Sequence, residues 1–126
     1  MWCACFNGDV DHVLHFLKFA KRNASTSLFH DEYIHLDSTT PHKRYTALHL
    51  TMEGLYKSLS GLRNSALPDT RRIRNNVVKK YATISSKLLK RGCSADFQDS
   101  NGTTALMLAA AVGEVFFNLY NIFLVY

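Results

Sequence analysis

The segment LLKRGCSADFQDSNGTTALMLAAAVGEV, Leu88 to Val115, carries the signals that decide how the chain folds. Leu88 and Leu89 close an apolar helical face. Lys90 and Arg91 put positive charge at the negative end of a helix dipole, and Gly92 can adopt the positive φ that follows a helix end. A helix therefore stops at Gly92. From Cys93 to Gly102 the chain is rich in Asp, Ser, Asn and Gly, which turn the backbone through side-chain hydrogen bonds or left-handed conformations. This predicts a tight, hairpin-like loop. Thr104 then offers a hydroxyl as an N-cap, and Ala105, Leu106, Leu108, Ala109 and Ala110 form a small apolar helix ended by Gly113. A further helix begins near Val115.

A unit of this kind is too small to bury its own apolar face and needs a similar unit beside it. The residues resemble the ankyrin repeat family. Its pattern D-x-x-G-x-T-P-L-H-x-A-A-x-x-G is matched by Asp99, Gly102, Thr104, Leu106, Ala109, Ala110 and Gly113, with Ala105 in the Pro place and Met107 in the His place. The preceding L-L-x-x-G-A is matched by Leu88, Leu89 and Gly92, with Cys93 in the Ala place. The resemblance implies an all-α solenoid of helix-turn-helix repeats with hairpin loops, built to bind another protein and doing no chemistry itself.

Two weaker copies extend the pattern. Thr46-Ala47-Leu48-His49-Leu50-Thr51 repeats the helix start, with Thr46 in the place of Thr104. The resemblance gives His49 a structural role, bridging backbone groups between neighbouring loops. Ala4, Cys5 and Gly8 match Ala109, Ala110 and Gly113, so the chain opens inside a repeat, and a fragment of a longer protein is the expected reading. Val10, Val13, Leu14 and Leu17 then suit a following helix, with Asp9 and Asp11 at its positive end. The interval from Thr46 to Thr104 exceeds the usual period of about 33 residues by roughly 25.

The layout expected is one domain over residues 1–126, of about two and a half repeats with two long insertions and incomplete at both ends. It comprises a partial repeat 1–22, an insertion 23–44, a repeat 45–98 and a repeat 99–126. Within the second, residues 55–76 read as a surface loop, because Ser58, Ser60, Gly61, Asn64, Ser65, Pro68 and Asp69 interrupt helical patterning. Val77, Val78, Tyr81, Ile84, Leu88 and Leu89 give the helix that runs into Gly92.

Composition narrows the function classes. The 126 residues are 47% hydrophobic and 20% charged, which places the chain among globular rather than disordered sequences. The net charge of +5 is spread over several segments, and no nucleic-acid partner is expected. Arg71, Arg72, Arg74, Lys79 and Lys80 read as a solvated face rather than an import signal. Three cysteines at this spacing make no disulfide framework, and Met1 to Phe6 lacks the features of a signal peptide. An intracellular, cytoplasmic location is expected, with the nucleus left open.

The search for chemistry is negative. No Gly-x-Ser-x-Gly elbow, phosphate-cradling loop or dinucleotide turn occurs, so no enzyme class, cofactor or small-molecule substrate is expected. Cys3, Cys5, His12 and His15 could be drawn as zinc ligands, but their spacing departs from the usual knuckle and no metal is expected. His30, His35 and His42 lie in a loop without defined geometry.

The predicted function is therefore a protein-binding module or scaffold, with Phe97, Gln98, Ser100, Asn101 and Met107 as the partner-binding candidates. Phe97 leads them because it is an aromatic in a run otherwise suited to solvent, and aromatics dominate interface energies. The competing possibility is that it folds back onto Leu62 or Leu67. The structural motif residues are Thr46, His49, Gly92, Asp99, Gly102, Thr104 and Gly113. The rival reading is a piece of a larger intracellular protein, such as an enzyme, zinc-finger protein or channel, whose active part lies outside this chain. The apolar tail 115–126 is too short to span a membrane and suits packing on a further repeat or self-association.

Overall fold

The computed structural model describes residues 2–23, 39–63 and 69–111, and among them every regular element is an α-helix. In chain order these are α1 (Trp2–Asn7), α2 (Val10–Asn23), α3 (Ala47–Arg63), α4 (Thr70–Lys90) and α5 (Ala105–Ala111). Consecutive helices pair as α1 with α2 and α3 with α4. The pairs stack so that α3 lies between α1 and α5 while α2 lies on α4. Leu17, Leu48, Met52, Leu55, Ile84 and Leu88 are fully buried where these helices meet.

Local signals set most of the boundaries. At the end of α4 the Gly92 amide donates to the Leu89 carbonyl and the Cys93 amide to Leu88, with Gly92 at φ 95°. These are the paired bonds of a Schellman motif, which satisfies carbonyls the helix leaves open. The end of α1 repeats it, with Gly8 donating to Cys5 and Asp9 to Ala4. Asp9 also caps α2 by accepting from the His12 amide at 3.2 Å. That amide bond and the contact with the His12 ring hold the Asp9 carboxyl below its usual range. Thr104 caps α5 by accepting from the Met107 amide at 3.3 Å.

The stretch 55–76 is a correction. The sequence reading makes it a surface loop, but α3 continues through Arg63 and α4 begins at Thr70, so the additional residues lengthen two helices. The supposed breakers are placed harmlessly. Ser58 lies with its hydroxyl 3.2 Å from the Tyr81 hydroxyl, Gly61 is exposed, and Leu55 and Leu59 carry the apolar face onward into the core. Asp69 stands at the start of α4, where its carbonyl accepts from the Ile73 amide, and residues 64–68 lie outside the described residues. Gly54, which stands one place early for the glycine that ends a repeat helix in the manner of Gly113, sits inside α3.

Gly54 is where α1 and α3 come together. A Cβ on it would lie 2.1 Å from the Phe6 carbonyl oxygen, so only a residue without a side chain allows this approach. The Tyr81 hydroxyl reaches the same carbonyl, donating at 2.7 Å from α4. Three helices are thus tied to one carbonyl that α1 cannot satisfy within itself. Arg91 adds a tie between α4 and α2 by donating to the Leu17 carbonyl at 3.4 Å.

Candidate binding site at the stacked loops

Two loops stand side by side at one end of the helix pairs. In the first, the Thr40 amide donates to the Tyr45 carbonyl, the Arg44 amide to the Thr40 carbonyl and the Tyr45 amide to the Thr40 hydroxyl. The last residues of the expected insertion 23–44 therefore form the loop of the unit that follows, while residues 24–38 lie outside the described residues. In the second loop the Asp99 amide donates to the Thr103 carbonyl. The buried Asp99 carboxylate accepts from the amides of Asn101 at 2.8 Å and Thr103 at 2.9 Å. An Asx turn of this kind explains why Asp opens the segment.

The loops are joined by backbone and by one histidine. The Ser100 amide donates to the Lys43 carbonyl at 3.0 Å. His49, 1% exposed, lies beneath them, with Nε2 2.7 Å from the Thr103 carbonyl and Nδ1 3.3 Å from the Thr46 amide and 2.8 Å from the Thr46 hydroxyl. Because Nδ1 accepts from the Thr46 amide, the ring proton sits on Nε2 and is donated to Thr103. Thr46 and His49 therefore cap each other, as Ser and Glu do in a capping box, while the far side of the ring holds the next loop. Tyr45 stacks on the imidazole at 5.5 Å with the rings 5° from parallel. Burial, then the carboxylates of Glu53 and Asp99, push the Tyr45 phenol up.

Arg44 is the residue that sequence reasoning missed. It stands at the same distance before Thr46 as Gly102 does before Thr104, and both have positive φ, 54° and 77°. A left-handed arginine costs about 1–2 kcal/mol relative to an unstrained conformation. Its guanidinium lies over the Phe97 ring at 5.8 Å, so the strained residue bridges to the adjacent loop. Arg44→Gly is expected to stabilise the fold by about 1 kcal/mol, less the cation–π contact of about 0.5–1 kcal/mol. A urea unfolding curve for the variant checks the sign, which turns negative if that contact outweighs the backbone strain.

The partner-binding candidates fall around this bridge. Gln98, Ser100 and Asn101 are exposed, and Phe97 is half-buried beneath Arg44. Leu67, one of the two residues considered as its cover, lies outside the described residues. His42 and Lys43 are exposed on the first loop, with the Lys43 ammonium 5.5 Å from the Tyr45 ring. Met107 is 55% exposed on α5. It occupies the register of His49 but has no ring nitrogen, so the loop-to-loop bond has no counterpart there. Gly113 and the tail 115–126 lie outside the described residues.

The residues drawn as zinc ligands are separated in environment. Cys3 is exposed, whereas Cys5 is buried, and burial pushes its thiol up to about 11 despite a hydrogen bond with Thr51. His12 is engaged by Asp9, and His15 meets the Phe16 ring edge-on. Among the described residues, no three His, Cys, Asp or Glu side chains are placed to hold a metal ion. Nor is any described helix long and apolar enough to cross a membrane. No protein-family model, curated protein or solved structure matches the chain.

Proposed function

We propose that the chain is a protein-binding module built from ankyrin-like repeats, with the stacked loops as its recognition surface. The observation that carries this reading is the His49 bridge. One unit's helix start is bonded to the next unit's loop at Thr103, and the loops are further joined from Ser100 to Lys43. Stacking of this kind commits the helices to one another and leaves the loop tips to meet a partner. Phe97, Gln98, Ser100 and Asn101 form the proposed contact surface, with Arg44 across the top of Phe97 and Met107 extending it along α5.

The geometry makes Phe97 a ready anchor. Its ring is already half-buried and held by Arg44, so little side-chain freedom remains to be lost on binding. A photo-crosslinking residue placed at position 98 or 101 in cells would identify the partner by mass spectrometry. With that partner in hand, Phe97→Ala is expected to weaken binding by about 2 kcal/mol or more, beyond the roughly 0.5–1 kcal/mol of stability lost with the Arg44 contact. A fall in stability with no specific loss of affinity would remove Phe97 from the site.

A further inference from the structure

On the other layer of the fold, where α2 begins beside the first half of α4, lies a groove of about 530 Å³. Val10, Ile73 and Val77 give it an apolar lining, and Asn76, Lys79 and Lys80 border it. Ile73 is among the exposed large apolar residues of the protein. The volume is in the range of ligand clefts and larger than one aliphatic side chain requires. We propose that this groove docks an acidic peptide segment carrying a single apolar anchor, on a surface separate from the stacked loops.

Charge selects the occupant. The charged side chains of α4 are all Arg or Lys, with no Asp or Glu from Thr70 to Lys90. Arg71 and Arg72 occupy its first turn, where the positive end of the helix dipole opposes them. Lys79 and Lys80 are exposed and form no ion pair with a carboxylate among the described residues. Such an arrangement raises the field of one helix face and attracts an anionic partner. On the α2 side stand Asp9, engaged by His12, and the exposed Asp11, and Asp69 precedes α4, so the anionic segment would keep to the Lys79 and Lys80 rim of α4.

The lining separates a peptide from other anions. Nucleic acid binds where aromatic side chains stack its bases and a basic track follows its phosphates, but this lining is aliphatic. A bilayer surface is met by a long amphipathic helix face of bulky apolar residues with basic flanks, whereas the apolar residues here are Val10, Ile73 and Val77, shared between two helices. A second copy of the chain brings its own net positive charge. An aliphatic or aromatic side chain flanked by Asp and Glu satisfies both the lining and the rim.

The test uses the full chain and a short fluorescein-labelled peptide of Asp and Glu around one central Leu, followed by fluorescence anisotropy. Affinity should fall about tenfold or more when Lys79→Glu and Lys80→Glu are combined, and by a similar factor when the peptide's Leu is replaced by Ser. Ile73→Gln should abolish the preference for the Leu peptide while retaining the salt dependence. Far-UV circular dichroism reports folding, and if the double charge reversal fails to fold, the Ile73→Gln comparison decides alone. Absence of binding at millimolar peptide, equal affinity for the Leu and Ser peptides, or tighter binding of oligothymidylate or phosphatidylserine vesicles would each overturn the proposal.

Discussion

Gly54→Ala is expected to destabilise the protein by about 3 kcal/mol or more, a large share of the roughly 5–15 kcal/mol that holds a typical domain. The new Cβ would lie 2.1 Å from the Phe6 carbonyl oxygen, 2.9 Å from the Phe6 carbonyl carbon and 3.0 Å from the Tyr81 ring. The first two atoms are backbone and cannot swing aside, so α1 must move away from α3. That movement also pulls the Phe6 carbonyl from the Tyr81 hydroxyl, leaving a helix-terminal acceptor without its partner. Gly61 supplies the control. It lies in the same helix with nothing within 4 Å of the place a methyl would take, so Gly61→Ala should stabilise by about 0.5–1 kcal/mol. Urea unfolding followed by far-UV circular dichroism measures both, and equal midpoints for Gly54→Ala and the parent would mean that α1 does not approach α3 this closely.

The second large effect is expected at His49. His49→Leu keeps comparable bulk in a buried position but strands the Thr46 amide and takes one of two donors from the Thr103 carbonyl, which keeps the Asp99 amide, at a cost of about 2–3 kcal/mol. Thr46→Val removes only the hydroxyl cap and should cost about 1 kcal/mol. Because the two side chains bond each other, their effects should fall short of additive by about 0.5 kcal/mol or more in a double-mutant cycle. His49→Leu should also speed amide exchange at Asp99, Ser100 and Thr103, since the ring secures the loop that contains them. Unchanged exchange in that loop would separate His49 from loop stacking.

What was legible in the sequence was what is encoded locally. The helix end at Gly92, the Thr104 cap and the Asp99 turn each follow from residues within a few positions of one another, and each occurs as read. The lengths of α3 and α4 were not legible, because Ser58, Ser60 and Gly61 count against a helix by propensity alone. They are tolerated where one bonds Tyr81 and another faces open space. The role of Gly54 was not legible either, because it depends on the Phe6 carbonyl, a contact distant in sequence. Around the candidate site, Phe97 stood out as an aromatic among polar neighbours. Its bridge to Arg44 had no sequence signal, since an arginine gives no warning that it will occupy a left-handed position.

The stacking of the two loops through one imidazole is the claim on which the proposed function rests, and the protonation pattern of that ring tests it most directly. Long-range proton–nitrogen correlation spectra of the nitrogen-labelled protein at neutral pH should show His49 as a single, slowly exchanging tautomer with its proton on Nε2. That proton should lie far downfield, as a short bond to the Thr103 carbonyl requires. A proton on Nδ1, or a ring averaging between tautomers with solvent-exchange rates like those of an exposed histidine, would contradict the bridge between the loops.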